Sequence, residues 1–336
     1  MRFIAALAVI FSHSFTICLG TEASGYLSTW TDGRLSSGGL AVGVFFLFGG
    51  FLIAKSCESH QEAKLFFSLR AYRIFPQLLF VVALLAFVVG PLITQMSLQQ
   101  YFSDGGTYRY LLNGAFILQH NLPGVFEGNP YPGVVNGPLW TLPVEFACYV
   151  LCYLCFKLTK FDKKRFALVS IPFIALSVVY FAFFNLYQLS VVRAILLFYL
   201  GVVFYVYRDH ITLTPKAGLA SVALFIAMLA LKLDVIAMLL VFPYAFFWLG
   251  YGTKRKFSSF AQHGEFSYGI YLWGWPIQQM LVLAWPGSMS PLANALIACA
   301  LAILGGIANY WIVDVPVKRF QKKRAAILRS QYESAR

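Results

Sequence analysis

Charge is scarce in this chain. Only 12% of its 336 residues are Asp, Glu, Lys or Arg, against about 25% in a soluble domain. Acidic residues are scarcest, 13 in all. A globule in water has no place to bury a composition that is 60% hydrophobic and 18% aromatic, which excludes a soluble fold. A disordered chain is excluded too, because disorder needs low hydrophobicity and high net charge. Six cysteines at this length make no secreted disulfide scaffold. The five histidines include no H-x-x-x-H pair, so no metal site is expected. Walker, G-x-S-x-G and dinucleotide fingerprints are absent as well. A polytopic membrane protein remains.

A spanning helix needs about 20 mostly apolar residues. Runs at 3–20, 39–55, 75–95, 138–156, 166–184, 189–207, 217–233, 235–252, 265–284 and 292–313 meet that need. They predict an all-α bundle of about ten transmembrane helices. Segment 107–120 is apolar but short, as in a re-entrant or interfacial stretch. With the N-terminus inside and every span crossing, the cytoplasmic side collects all 26 basic residues except Arg34, Arg109, Arg193 and Lys232. That asymmetry predicts N-in, C-in topology with an even span number. It also accounts for most of the +13 net charge without invoking nucleic acid. The first span resembles a signal peptide only in outline: Ser12-His13-Ser14 interrupts its core and no small-x-small site follows, so it is expected to be retained. One integral membrane domain is expected over 1–336, with an extracytoplasmic loop at 96–137 and a basic cytoplasmic tail at 314–336. Cys148, Cys152 and Cys155 share a helix face within an apolar run and read as packing residues.

An ionisable side chain inside a span is costly and marks a candidate site. His13, Glu145 and Arg193 qualify. Arg2 and His13 are eleven residues apart, which returns to within about 20° of one helix face over a rise of roughly 16 Å. The face would carry a cation at the cytoplasmic edge and an imidazole near mid-membrane. Glu145 is expected roughly 10 Å below the outer surface, at a depth close to His13. There it would orient the imidazole or share its proton; a structural pair with Arg193 is the alternative. Pro143 frees a backbone carbonyl nearby, which suits a cavity wall. Arg70 and Arg73, just before Pro76, present two guanidinium forks on one face, a geometry that suits phosphate. Positive-inside topology also puts arginines there. The aromatics Tyr101, Tyr108, Tyr110, Tyr131 and Trp140 are expected chiefly as interfacial anchors, with stacking on sugars as the other option. The runs Lys163-Lys164-Arg165, Lys254-Arg255-Lys256 and 318–324 are expected to serve topology and lipid contact.

These motifs, in this order, resemble the membrane acyltransferase-3 family, integral-membrane O-acyltransferases of bacterial surface polysaccharides, in its stand-alone form without a fused SGNH domain. Arg2 through His13 looks like the family's Arg-x10-His helix. Val44-Phe45-Phe46-Leu47-Phe48-Gly49-Gly50-Phe51-Leu52-Ile53 looks like its phenylalanine-rich second span ending Ser-Gly-Phe-Leu-Ile. Arg70-Ala71-Tyr72-Arg73-Ile74-Phe75-Pro76 looks like Arg-x-x-Arg-Ile-x-Pro. Leu139-Trp140-Thr141-Leu142-Pro143-Val144-Glu145 looks like Leu-Trp-Ser-Leu-x-x-Glu. Ser267-Tyr268-Gly269-Ile270-Tyr271-Leu272 and Val313-Asp314-Val315-Pro316 resemble the late Ser-Tyr-x-x-Tyr-Leu segment and the closing acidic-x-Pro. The chain departs at Gly49, where serine is usual, and at Gly274, where histidine is frequent. It also begins one residue before Arg2, where the family has a short cytoplasmic stretch.

The resemblance implies transfer of an acyl group, commonly acetyl, from cytoplasmic acyl-CoA to a hydroxyl of an extracytoplasmic or lipid-linked sugar. A bacterial inner membrane is the expected location. His13 would take the acceptor proton or carry the acyl group, with Glu145 orienting it. Arg2, Arg70 and Arg73 would hold the donor phosphates. Trp140, Arg193, Tyr268 and Tyr271 are the expected substrate-binding residues. The expected partners are the bilayer, acyl-CoA (acetyl-CoA) and a glycan acceptor, with no metal and no nucleic acid. A transporter or flippase for a polysaccharide or lipid unit would need the same buried groups, but its paired broken helices in two related halves are not evident. A scaffold within an export complex is a third class.

Overall fold

The structure, a computed structural model, describes residues 1–20, 25–184, 190–252, 266–321 and 323. The basic run 254–256, His263 and most of the expected basic tail lie outside the described residues. Hydrocarbon offers the backbone no hydrogen bonds, so a spanning segment of this composition satisfies itself as helix. The described residues contain no β-strand, only an isolated bridge between Asn121 and Val134. The long helices are α1 (Arg2–Leu19), α2 (Ser37–Ser59), α3 (Ala63–Ile93), α4 (Thr141–Thr159), α5 (Lys163–Phe184), α6 (Ser190–Val206), α7 (Pro215–Ala230), α8 (Asp234–Gly252), α9 (Ser267–Ala284) and α10 (Pro291–Gln321). Each expected apolar segment is therefore helical over most of its described length. Among the described residues, six helices are long and apolar enough to cross a membrane: α1, α2, α3, α4 with the turn before it, α8 and α10.

Helix boundaries follow local chemistry. The side chains of Ser36, Thr214 and Ser290 accept from backbone N–H groups three residues on, at Gly39, Ala217 and Ala293. They thereby cap α2, α7 and α10. Pro215 and Pro291 follow two of these caps at positions where no helical donor is lost. Lys160 and Phe161 end α4 at φ values of 54°, a left-handed turn that cannot continue the helix. Pro76, Pro172 and Pro276 lie inside α3, α5 and α9. Each removes one N–H from the ladder and leaves the carbonyl four residues earlier without its usual donor.

Chain contacts divide the protein into two compact units. The first holds most of α1 together with α2 and α4 through α8. Its closest seam joins α2 to α6. A Cβ on Gly50 would stand 1.9 Å from the Phe198 carbonyl oxygen, and one on Gly201 would stand 2.0 Å from that of Leu47. The two backbones touch, and only glycine permits it. Beyond α1, the segment 26–36 is tied by charge: Arg34 Nε lies 2.9 Å from Asp234 Oδ1, and Lys232 Nζ lies 3.0 Å from Asp32.

The second unit holds the bulk of α3, the segment 94–139, α9 and α10. A Cβ on Gly269 of α9 would stand 2.8 Å from the Gly306 Cα of α10, so these helices also meet backbone to backbone. Amides stitch the apolar interior. Gln278 Nε2 donates to Asn294 Oδ1 at 2.9 Å, and Asn309 Nδ2 donates to Gln77 Oε1 at 2.8 Å. Gln77 in turn donates to Asp314 at 2.5 Å. The segment 94–139 is packed rather than open. Ser97 and Gln100 form a capping box on the short helix Leu98–Ser103. Tyr101 donates to the carbonyl of Ala86, within a π turn of α3, at 2.8 Å. Burial pushes the Tyr101 phenol up to about 12. Tyr101 and Tyr110 are both fully buried. They are interior packing residues, which corrects their expected place among the interfacial anchors; Tyr108 is exposed.

The stretch 129–138 runs along α9. Asn129 donates to the Gln279 carbonyl, and Gln279 donates to the carbonyls of Tyr131 and Val134. Trp275 Nε1 also donates to Val134 at 2.9 Å. Asn136 Nδ2 donates to the Leu272 carbonyl at 3.0 Å, and Tyr271 donates to the Pro138 carbonyl at 2.9 Å. Contacts thus step from Gln279 back to Tyr271, about 12 Å along the helix axis at 1.5 Å per residue. The segment 107–120 forms a helical turn and a 3-10 turn that ends at Phe116 with φ 63°, and it packs on α3, with the Phe116 and Phe75 ring centroids 5.0 Å apart.

Candidate active site

The expected site residues fall in both units. Arg2, His13, Trp140, Glu145 and Arg193 belong to the first, and Arg70, Arg73, Tyr268 and Tyr271 to the second.

In the first unit, α1 carries Arg2 at its start and a half-buried His13 three turns later. Glu145 sits in the second turn of α4. Its ion partner is Arg2, with Nη2 3.8 Å from Oε1. The Tyr149 hydroxyl donates to the same Oε1. Glu145 and Tyr149 are four residues apart, so one helix face presents both. The Arg2 guanidinium also lies over the Phe45 ring, 5.6 Å from its centroid. Its Nε is buried without a hydrogen-bond partner. Neither expected pairing of Glu145, with His13 or with Arg193, is the one found.

Arg193 is buried in the first turn of α6. It donates to the Arg34 carbonyl at 3.4 Å and abuts Gly39, where a Cβ would stand 2.9 Å from Nη2. The arginine therefore braces the turn that leads into α2. Trp140 ends the 3-10 turn Gly137–Trp140 and is half-buried.

In the second unit, Arg70 and Arg73 are half-buried on α3, one turn apart. One turn beyond Arg73 is Gln77, the centre of the buried Asn309–Gln77–Asp314 chain of hydrogen bonds. Asp314 also faces Lys318 at 3.7 Å. Tyr268 donates to the Ile74 carbonyl at 3.2 Å and Tyr271 to that of Pro138. A phenol has one hydrogen to donate, and both tyrosines use it on backbone. Through these bonds Tyr268 joins α9 to α3 and Tyr271 joins it to the stretch 129–138.

Sequence reasoning passed over Tyr149, Gln77, Asn136 and the Gln278-Gln279 pair. For Tyr149 the Glu-x-x-x-Tyr spacing was the available signal. For the amides it was their place within apolar runs, where an unpaired polar group is expensive even when neutral.

With several membrane-length helices and no strand among the described residues, the protein falls in the class of integral-membrane helical bundles. Comparison with known proteins defines it further. The acyltransferase domain family matches residues 1–311, and the chain belongs to that acyltransferase-3 family. It is 27% identical over 308 residues to the O-acetyl transferase of Shigella phage Sf6, covering 84% of each chain. It is 33% identical over 182 residues to nodulation protein 10 of Rhizobium leguminosarum bv. viciae, covering 50% of this chain and 46% of that protein. No solved structure matches. The protein is a membrane acyltransferase.

Proposed function

We propose that the protein moves an acetyl group from cytoplasmic acetyl-CoA to a hydroxyl of a cell-surface or lipid-linked polysaccharide, in a bacterial inner membrane, with both termini inside and about ten spans. The observation that carries this reading is the likeness to an O-acetyl transferase over 84% of both chains. Oxygen acylation needs a base for the acceptor hydroxyl, and His13 is the one imidazole within a membrane-length helix among the described residues. Its helix begins with Arg2, and the arginines Arg70 and Arg73 supply planar donors suited to donor phosphates. His13 accepts the hydroxyl proton as the oxygen attacks the thioester, and the thiolate of CoA leaves toward the cytoplasm.

Transfer from labelled acetyl-CoA in membranes tests this directly. General-base help is typically worth 10²–10⁴-fold. A well-expressed His13→Ala protein is therefore expected to lose transfer by about that factor. Near wild-type transfer by that variant would overturn the role of His13. Movement of a glycan or lipid with no thioester consumed would overturn the reaction itself.

A further inference from the structure

We infer that Glu145 is an exchangeable counter-ion for Arg2, which holds the guanidinium when no donor is bound and yields it to a phosphate group of acyl-CoA. The inference rests on the acyl-CoA reading above and deepens it. The pair has the geometry of a holding contact rather than a permanent one. The oxygen and nitrogen stand 3.8 Å apart, beyond hydrogen-bond length. A locked arginine–carboxylate pair is forked, with two parallel N–H···O bonds. Here the contact runs from Nη2 to Oε1, and Nε is buried without a hydrogen-bond partner. The carboxylate oxygen that faces Arg2 is also the one that accepts from Tyr149, so its attraction is shared. Both charged side chains keep about a fifth of their surface open, at 21% and 23%, so an incoming ligand can reach them. The Phe45 ring lies 5.6 Å from the guanidinium carbon, within cation–π range.

The physical need for such a device is plain. An arginine within a membrane helix is costly without a counter-charge. A binding arginine with nothing bound would be in that position before each turnover. A carboxylate 3.8 Å away removes the problem. It stands beyond hydrogen-bond length, so it takes up no guanidinium donor that a phosphate could use. Glu145 then acts as a competitor of the donor phosphate, and its loss strengthens donor binding.

The test is CoA binding by the purified full-length protein in nanodiscs of zwitterionic phosphatidylcholine, read by calorimetry, which needs no turnover. A partly exposed ion pair is worth up to about fivefold in an equilibrium constant. Glu145→Gln, which keeps the shape and the acceptor for Tyr149, is expected to lower the Kd for CoA by about two- to fivefold. Tyr149→Phe leaves Oε1 to the guanidinium alone and is expected to raise it. Weaker or unchanged binding by Glu145→Gln, with the wild type binding normally, overturns the inference. A second arm adds phosphatidylglycerol. If that lipid abolishes CoA binding in the variant and not in the wild type, Arg2 serves a lipid headgroup and the donor role falls. No CoA binding by the wild type in either lipid would instead refute the acyl-CoA reading on which the inference stands.

Discussion

Asn136 holds its stretch of chain to α9 through one hydrogen bond whose need is created by a proline. Pro276 has no N–H, so the Leu272 carbonyl four residues earlier lacks its helical donor. Asn136 Nδ2 takes that place at 3.0 Å. Asn136 is 1% exposed, so no solvent replaces the donor if it is removed. Asn136→Ala leaves a buried carbonyl unsatisfied, at a cost of about 1–3 kcal/mol. The same substitution removes the Oδ1 atom, which is itself buried without a partner, so the lower half of that range is expected. Pro276→Ala restores an N–H beneath the Leu272 carbonyl. In that background Asn136→Ala should cost less than about 0.5 kcal/mol, giving a coupling energy of about 0.5–2 kcal/mol. Detergent-titrated unfolding of the two single variants and the double variant measures all corners of the cycle. Additive effects would refute the capping argument, whatever the size of each single loss.

Neighbouring glycines in α2 should behave oppositely. A Cβ on Gly49 meets only the Phe198 ring at 3.7 Å, whereas one on Gly50 meets the Phe198 carbonyl at 1.9 Å. Gly49→Ser is expected to change stability by less than about 0.5 kcal/mol, while Gly50→Ala should cost about 3 kcal/mol or more because backbone must move; equal thermal shifts would contradict the seam. Arg73→Lys keeps the charge but loses the fork, so the KM for acetyl-CoA should rise with kcat little changed, and an unaltered KM would remove Arg73 from donor binding. Lys232, by hydrogen bond and charge, holds the Asp32 carboxyl below its ordinary range. A depressed pKa stabilises above the ordinary carboxylate value and is lost as pH falls through the folded value. Hydrogen-exchange protection of 26–36 should therefore be flat near neutrality and fall below about pH 4. Asp32→Asn should show reduced protection at neutral pH and no acid step, and an acid step that survives in it would assign the effect to another carboxylate.

Much of the helical plan is legible without coordinates, because apolar runs of membrane length have few alternatives to helix. The runs at 39–55 and 217–233 correspond to α2 and α7, with polar caps just outside each at Ser36 and Thr214. Contact between backbones is less legible. Gly50 and Gly201 are far apart in the chain, and nothing local says that each exists for the other. The segment 94–139 is legible in part. Its Gly, Pro and Asn content signals turns, but turns on a buried segment still need partners for their polar backbone. Gln279, Trp275 and Tyr271 supply them from one face of α9.

The same distinction separates what was legible in the candidate site from what was not. His13, Arg2 and Glu145 stand out because charge in hydrocarbon is rare and expensive, and the structure does bring Arg2 and Glu145 together. Which charge meets which depends on packing between helices, which residue spacing along one helix does not give. The stretch 129–138 is held to α9 by five side chains, those of Asn129, Gln279, Trp275, Asn136 and Tyr271. None of those side chains is charged, so a survey of ionisable groups alone passes over them. An amide in hydrocarbon needs partners almost as much as a charge does, and Gln278-Gln279 within an apolar run is a request for hydrogen bonds from something outside its own helix. Gln279 receives that something from 129–134 and Gln278 from Asn294. Buried amides in a span therefore report on contacts made outside their own helix, with non-helical chain at Gln279 and with another helix at Gln278.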